Sequence, residues 1–376
     1  MILRTFLPVG QGAFYCEKFF DASNKCVLNI VYDCGSSTDI HFVQSAILSA
    51  FEKDETIDAV FLSHLDNDHI NGLPDLLSHC RVKKIYFPLI TDEHLILTKV
   101  EQQIKNPTDP NNFSSAFLEN PFGALREHAP DSEAVLISVA SNEDSENRQY
   151  GDNIRSIFSG TDVFSDIASS GKSTAGISWE YVPFNFRQTE RVAKLFQALE
   201  DEFHRPISAT EVEDIWKNKP SERYLIKNAY KKVPGGLNAN SMTVFSGERF
   251  GYLYQTLSHT CCYCFPRTGK FFCTPKPSGC LYTGDYDASK LNSWNQLETA
   301  YEKYWAAIGC IQVPHHGSMH NFNSNFLYSD AFFVISAGCL NRYHHPHASV
   351  IKQIYLSHKH LSLVNESSCA VTFEIC

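Results

Sequence analysis

FLSHLDNDHINGL, residues 61–73, is the stretch that decides the fold. A short apolar run, Ile57–Leu62, reads as a buried strand and stops at Ser63. Four potential metal ligands follow within six residues: His64, Asp66, Asp68 and His69. Imidazole and carboxylate together suit zinc, manganese or iron(II). Packing costly polar groups directly after a buried strand makes sense when a cation compensates them. Gly72 allows the chain a tight approach. The competing reading is a solvated loop rich in Asp and His.

Outward from this loop the chain alternates between strands and helices. Val27–Tyr32 is a β-branched run ending at Asp33-Cys34-Gly35. Phe42–Glu52 and Leu73–His79 carry apolar residues at helical spacing, and Lys84–Phe87 reads as another strand. Such alternation indicates α/β layering. Six of the 16 histidines fall between 315 and 347, in VPHHGSMH and NRYHHPH. Each group follows an apolar strand, Gly309–Val313 or Phe332–Ser336. LYTGDYD adds Asp285 at the end of a third, Cys280–Thr283. Ligands at the ends of successive strands converge on one edge of a sheet, where α/β proteins place their sites.

Residues 96–234 read as a largely helical insertion. Gln188–His204 is amphipathic, Ser208 and Glu211 form a capping box for the next helix, and Pro220 suits the first turn of a third. Within this stretch Trp179, Tyr181, Phe184 and Phe186 alternate as in a half-buried strand, with a base-stacking platform as the sharper alternative. SSGKSTAG, residues 169–176, lacks the upstream Gly of a phosphate-binding loop and reads as a plain loop. The expected core is therefore split, 1–95 and 235–376. Ser241–Ser246 and Phe250–Tyr254 look like a hairpin, and CAVTFEIC like a last strand. Residues 259–280 form a Cys-rich excursion, where Cys261, Cys264, Cys273 and Cys280 have the spacing of a small structural zinc site.

The 376 residues carry a net charge of −10, with 43% apolar and 20% charged types, an ordinary globular composition. No run of ~18 apolar residues occurs, so no membrane span is expected. The N-terminus lacks the apolar centre of a signal peptide. We therefore expect a cytoplasmic chain with reduced cysteines. The acidity speaks against long contact with nucleic acid. That argument weakens because Asp66, Asp68 and Asp285 are assigned to cations.

HLDNDHINGL resembles the metal motif of the metallo-β-lactamase fold in its HxDxDH variant. Together with NANS (238–241), TGD (283–285), PHHGS (314–318) and SAGCLNRYHHP (336–346), it resembles the hydrolase domain of the ComEC competence proteins. VGQGAF and YDCG match further blocks, in the same order. Ala13 and His344 depart from the family's Asp and Gly, and the membrane domains of ComEC have no counterpart. The resemblance implies a four-layered αβ/βα sandwich around two divalent ions, zinc or manganese. His64 and Asp66 would hold one ion, Asp68, His69 and His345 the other, and Asp285 would bridge. His315 and His316 stay open between ligand, proton donor and phosphate contact. Asp68 would also hold the attacking water. Asp33, Asn240, Ser241, Ser318 and Asn341 would support ligands or substrate. The implied reaction is phosphodiester hydrolysis, with nucleic acid as the substrate. Alternatives are hydrolysis of a small ester, thioester, lactone or signalling nucleotide, or a metal-stabilised scaffold binding a protein through 96–234.

Overall fold

The computed structural model describes residues 1–90, 92–105, 112–141, 153–168, 178–186, 189–233, 241–249, 251–259 and 274–376. The calls on 169–176, Asn240, Cys261, Cys264 and Cys273 lie outside them.

Among the described residues the strands are β1 (Ile2–Phe6), β2 (Gly12–Phe20), β3 (Cys26–Ser36), β4 (Thr56–Ile57), β5 (Ala59–Phe61), β6 (Arg81–Val82), β7 (Lys84–Pro88), β8 (Val135–Ala140), β9 (Ile154–Phe158), β10 (Trp179–Phe184), β11 (Thr243–Glu248), β12 (Tyr254–His259), β13 (Lys276–Pro277), β14 (Gly279–Tyr282), β15 (Ile308–Gln312), β16 (Phe332–Ser336), β17 (Leu361–Val364) and β18 (Val371–Ile375). The helices are α1 (Ile40–Ala50), α2 (Asn67–Ile70), α3 (Leu73–His79), α4 (Asp92–Lys105), α5 (Phe113–Glu119), α6 (Pro121–His128), α7 (Phe164–Ala168), α8 (Thr189–Phe203), α9 (Ala209–Asn218), α10 (Arg223–Lys231), α11 (Leu291–Ala300) and α12 (Ala348–Leu356).

A ten-stranded sheet runs β13-β12-β18-β1-β2-β3-β5-β7-β8-β9, and a six-stranded sheet β10-β11-β14-β15-β16-β17. Both are mixed. β3, β5, β7, β8 and β9 are parallel, as are β14 to β17, and the remaining pairs are antiparallel. Parallel strands need covered faces on both sides, and both sheets have them. Tyr15, Phe61, Ile137 and Phe373 of the first sheet pack against Tyr181, Val244, Cys310 and Val334 of the second. On the outer face of the first sheet, α1, α3, α5 and α6 bury Val43, Leu76, Phe117 and Leu125. On the outer face of the second, α11 and α12 bury Trp294, Leu297, Val350 and Ile354. The result is the four-layered αβ/βα sandwich of the metallo-β-lactamase fold.

Between the sheets sits one buried ion pair. Arg4 of β1 donates from Nε to Glu17 Oε1 of β2 at 2.7 Å, and both are almost wholly buried. Arg4 also donates to Gln255 Oε1 at 2.7 Å and to the Ser278 carbonyl at 2.9 Å. Glu17 accepts from Tyr282 at 2.8 Å, from Ser246 at 2.6 Å and from the Tyr181 hydroxyl. Three donors from the second sheet thus close on a carboxylate of the first. Burial opposes the charge of Glu17, but Arg4 and the Ser246 and Tyr181 hydroxyls together outweigh it and hold the carboxyl below its ordinary range.

Two expectations about the chain's course are corrected. Residues 96–234 do not stand apart as a largely helical insertion. β8 and β9 extend the first sheet in parallel beyond β7, and β10 forms an edge of the second. Residues 135–140, VLISVA, are β-branched and apolar, so the tertiary sheet captures them. Only α4, α8, α9 and α10 form a separate cluster, around Leu97, Leu199, Val212 and Ile226. The capping box at Ser208 and Glu211 is present there. The expected hairpin near 241–254 does not form either. β11 pairs with β10 and β14, whereas β12 pairs with β13 and β18 in the other sheet. The Glu248 carboxylate accepts from Tyr252 N at 2.6 Å and Leu253 N at 2.7 Å, turning the chain across to that sheet. Alternation of apolar residues marks a strand but not its partner. In β10, Trp179 and Tyr181 are core residues, 1% exposed, and leave no ring free for stacking on a base.

Candidate metal centre

The site lies where β5, β14, β15 and β16 end. Each strand is apolar to its last turn, so the polar residues that follow are delivered to one edge of the sandwich. His64 follows β5, Asp285 follows β14, His315 and His316 follow β15, and Gly338–His345 follows β16. Asp66 precedes α2, which carries Asp68 and His69 on its single turn.

Two sets of donor atoms converge there. His64, Asp68 and His69 form one, and His69, Asp285 and His316 the other, with the atoms of each set within 4.8 Å of one another. His69 belongs to both. Its Nε2 is 3.4 Å from Asp285 Oδ1, and His316 Nε2 is 3.4 Å from Asp68 Oδ2. His64 Nε2 is 3.8 Å from Asp285 Oδ2 and 4.0 Å from Asp66 Oδ2. His315 Nε2 is 3.5 Å from Asp285 Oδ2. His69 Nε2, His316 Nε2 and Asp285 Oδ1 are buried without a hydrogen-bond partner. A buried polar atom left unpaired costs about 1–3 kcal/mol. Three of them aimed at one space fit a divalent cation, and their donor types fit zinc or manganese.

The rings are aimed by partners behind them. His69 Nδ1 lies 2.8 Å from Asp33 Oδ2, and Asp33 also accepts from Ser63 N and Ser63 Oγ, both at 2.7 Å. His316 Nδ1 lies 2.9 Å from the Ser336 carbonyl. These contacts place a proton on Nδ1 and leave Nε2 as the lone pair facing the site. Ser241 Oγ lies 3.2 Å from His64 Nδ1 and accepts from Asp285 N at 2.8 Å, joining two ligand segments. His315 and His316 have φ of 48° and 54°. Left-handed backbone at two adjacent non-glycine residues is uncommon, and here the turn directs both imidazoles inward.

Charge is shared closely. Burial disfavours charge on every member. On Asp68 it is outweighed by His69 and His316, and on Asp285 by His315 and His69, so both carboxyls lie below their ordinary range. The same carboxylates, led by Asp285, raise His69 and His316. Burial dominates at His64 and His345 and pushes each down to about 4, so both are neutral at pH 7.

Other expected residues stand further out. Asp66 is half-buried and outside both donor sets. His345 is outside them too, its ring 5.3 Å from that of His315 and 6.4 Å from that of His316. Ser318 faces its own turn, with Oγ accepting from His320 N at 3.2 Å. Asn341 binds the backbone of its own loop, accepting from His345 N at 2.9 Å and Tyr343 N at 3.1 Å and donating to the Gly338 carbonyl at 2.8 Å. Cys280 is a core residue of β14, paired across the sheet with Cys310 of β15.

Sequence reasoning missed several supports. Ser63 is a polar residue at the end of a buried strand, directly before His64, which is a readable signal. Gln312 closes an apolar run in the same way. Its Oε1 accepts from Thr283 N and Gly284 N, both at 2.7 Å, and fixes the turn before Asp285. Nothing local marks Gln102 or Arg191. Gln102 of α4 donates to the Leu65 carbonyl at 3.0 Å, and Arg191 of α8 pairs with buried Asp287 at 2.8 Å. The helical cluster therefore grips both ligand-bearing loops.

Residues 28–143 match the Metallo-beta-lactamase superfamily. No curated protein matches the sequence. Among solved structures, the chain is similar to MEM-A1, a subclass B3 metallo-beta-lactamase from a soil metagenome library, at 8% identity and a TM-score of 0.31, covering 82% of this chain and 79% of that one. It is also similar to the metallo-beta-lactamase MIM-1 from Novosphingobium pentaromativorans, at 10% identity and a TM-score of 0.30, covering 94% and 89%. Likenesses this distant bear on neither fold nor substrate. Ser63, His64, Asp68 and His69 all lie inside the segment that matches the Metallo-beta-lactamase superfamily.

Proposed function

We propose that the protein is a metal-dependent hydrolase that cleaves phosphodiester bonds, with nucleic acid as the substrate. The observation that carries this reading is the pair of donor sets meeting at His69, with three buried donor atoms unpartnered. Divalent ions held by these donor sets would lower the pKa of a water from ~15.7 to near 7 and withdraw charge from phosphoryl oxygens. The side chains divide the remaining work. Asp33 and the Ser336 carbonyl hold His69 and His316 with Nε2 inward. Asp68, a carboxylate at neutral pH, orients the attacking water and takes its hydrogen bond. His315, with its side chain 28% exposed beside Asp285, is on this reading the residue that returns a proton to the leaving oxygen. The phosphodiester part follows from the run of matching motifs from VGQGAF to SAGCLNRYHHP. The paired donor sets support metal-assisted hydrolysis more broadly.

The test is metal analysis of the purified protein followed by a substrate panel: single- and double-stranded DNA, RNA, cyclic nucleotides, bis-p-nitrophenyl phosphate and nitrocefin. Metal-dependent cleavage of a phosphodiester, lost in Asp68→Ala and His316→Ala, is the expected result. Turnover of nitrocefin with none of any phosphodiester overturns the proposal in favour of the ester and amide class.

A further inference from the structure

The loop after β16 carries large exposed side chains beside an otherwise buried polar centre. Leu340 is 98% exposed and Tyr343 is 51% exposed. Three rings lead outward from the donor sets in near-parallel planes. The His316 and His345 centroids are 6.4 Å apart at 28°, and those of His345 and Tyr343 are 5.9 Å apart at 27°. The last ring, that of Tyr343, faces solvent. Arg342 is exposed, with Cζ 4.9 Å from the centre of the Tyr343 ring, and Nη2 donates to the Tyr343 hydroxyl at 2.6 Å. Among the described residues no carboxylate pairs with it. The arrangement is built into the loop, because the Asn341 side chain fixes Tyr343 N, His345 N and the Gly338 carbonyl.

We propose that Tyr343 and the Arg342 guanidinium over its ring form a base-stacking platform that makes unpaired nucleic acid the preferred substrate of this site. The inference rests on the phosphodiester reading above and names the substrate class within it. An aromatic face stacks on any base, and a neighbouring guanidinium adds cation–π and phosphate attraction. A base inside a duplex is already stacked on both faces and cannot reach such a ring without being flipped out. A platform next to the reacting phosphate therefore selects strands whose bases are free. A small ester or lactone has no use for it.

The experiment compares wild type, Tyr343→Leu and Tyr343→Phe, all metal-loaded. The substrates are a single-stranded oligonucleotide, the same strand with abasic residues beside the cleavage position, and the duplex. Loss of one stacked base corresponds to about a 5- to 150-fold weakening. Tyr343→Leu is expected to raise KM on the base-bearing strand within that range with a smaller change in kcat, and Tyr343→Phe to restore it. On the abasic strand, where KM is already raised, Tyr343→Leu adds no further factor, as a shared contact requires. Fluorescence anisotropy of the same strands with metal-free protein reads the same order without turnover. Equal factors on base-bearing and abasic strands, or a wild type that cleaves duplex as readily as single strand, overturn the platform. A wild type that cleaves no phosphodiester overturns the underlying reading instead.

Discussion

Replacing Arg4 by Met tests whether the charge network between the sheets holds them together. The substitution keeps a long, flexible side chain and removes the cation. Glu17 then remains buried with three hydroxyl donors and no positive partner. Breaking a buried pair from one side costs about 3–5 kcal/mol. For a chain of this length that lowers the Tm by about 4–6 °C if it unfolds as one unit. The cost depends on pH. In the wild type the Glu17 carboxyl lies below its ordinary value of 4.5, so its stabilisation is present above that value and is lost as pH falls through the folded pKa. Without Arg4, only the three hydroxyl donors offset burial, and the folded pKa is expected above the unfolded one. Protonation then relieves the site, and the deficit grows as pH rises through the new value. The stability difference between wild type and Arg4→Met is therefore smallest below both folded pKa values and grows as pH rises through them. Urea unfolding across this range, in chelator so that metal linkage is absent, measures it. A difference below about 1 kcal/mol at pH 7, or one that does not vary with pH, would refute the reasoning.

Asp33→Asn should cost about 10- to 100-fold in metal affinity, read by competition against a chromophoric chelator. Asp33 has φ of 55°, which Asn tolerates, so the change tests the carboxylate and not the backbone. Added zinc or manganese should stabilise the fold by about 2.7 kcal/mol at a hundred times Kd. An unchanged Tm on both metal addition and chelation would contradict the donor sets. Arg191→Met leaves Asp287 buried and unpaired by its cation, so we expect about 3–5 kcal/mol lost in unfolding together with weaker metal binding. Retained metal affinity would show that the Asp285 loop holds its shape without α8.

The parts of the fold legible in the sequence were those whose signal is local. HLDNDH, TGD and PHHG each follow an apolar run, so strand, stop and ligand could be read from consecutive residues. Helices near 42–52 and 188–204 showed their periodicity, and the cap at Ser208 showed its chemistry. What escaped was pairing at a distance. Residues 135–140 look like a strand, but nothing in them tells that β7 is waiting for a parallel neighbour. Phe250–Tyr254 reads as a hairpin arm, yet the strand that begins at Tyr254 pairs with the C-terminal strand. The site has the same division. The ligands could be nominated by type, but grouping His316 with His69 and Asp285, and setting Asp66 and His345 outside, depends on a left-handed turn and on where β15 and β16 end. Arg191 and Gln102 act across more than thirty residues of sequence and had no local mark at all.

His69 stands in both donor sets, and an imidazole Nε2 has a single lone pair to give. Two cations cannot each take it. A first ion would therefore have two overlapping homes, one completed by His64 and Asp68 and the other by Asp285 and His316. A second ion, if one binds, would force a choice between them, and the two loading steps would then not be independent. Titration should show unequal stoichiometric steps. At one equivalent the preparation would be a mixture of two isomers of the same composition, and a half-loaded sample would not be half of a fully loaded one.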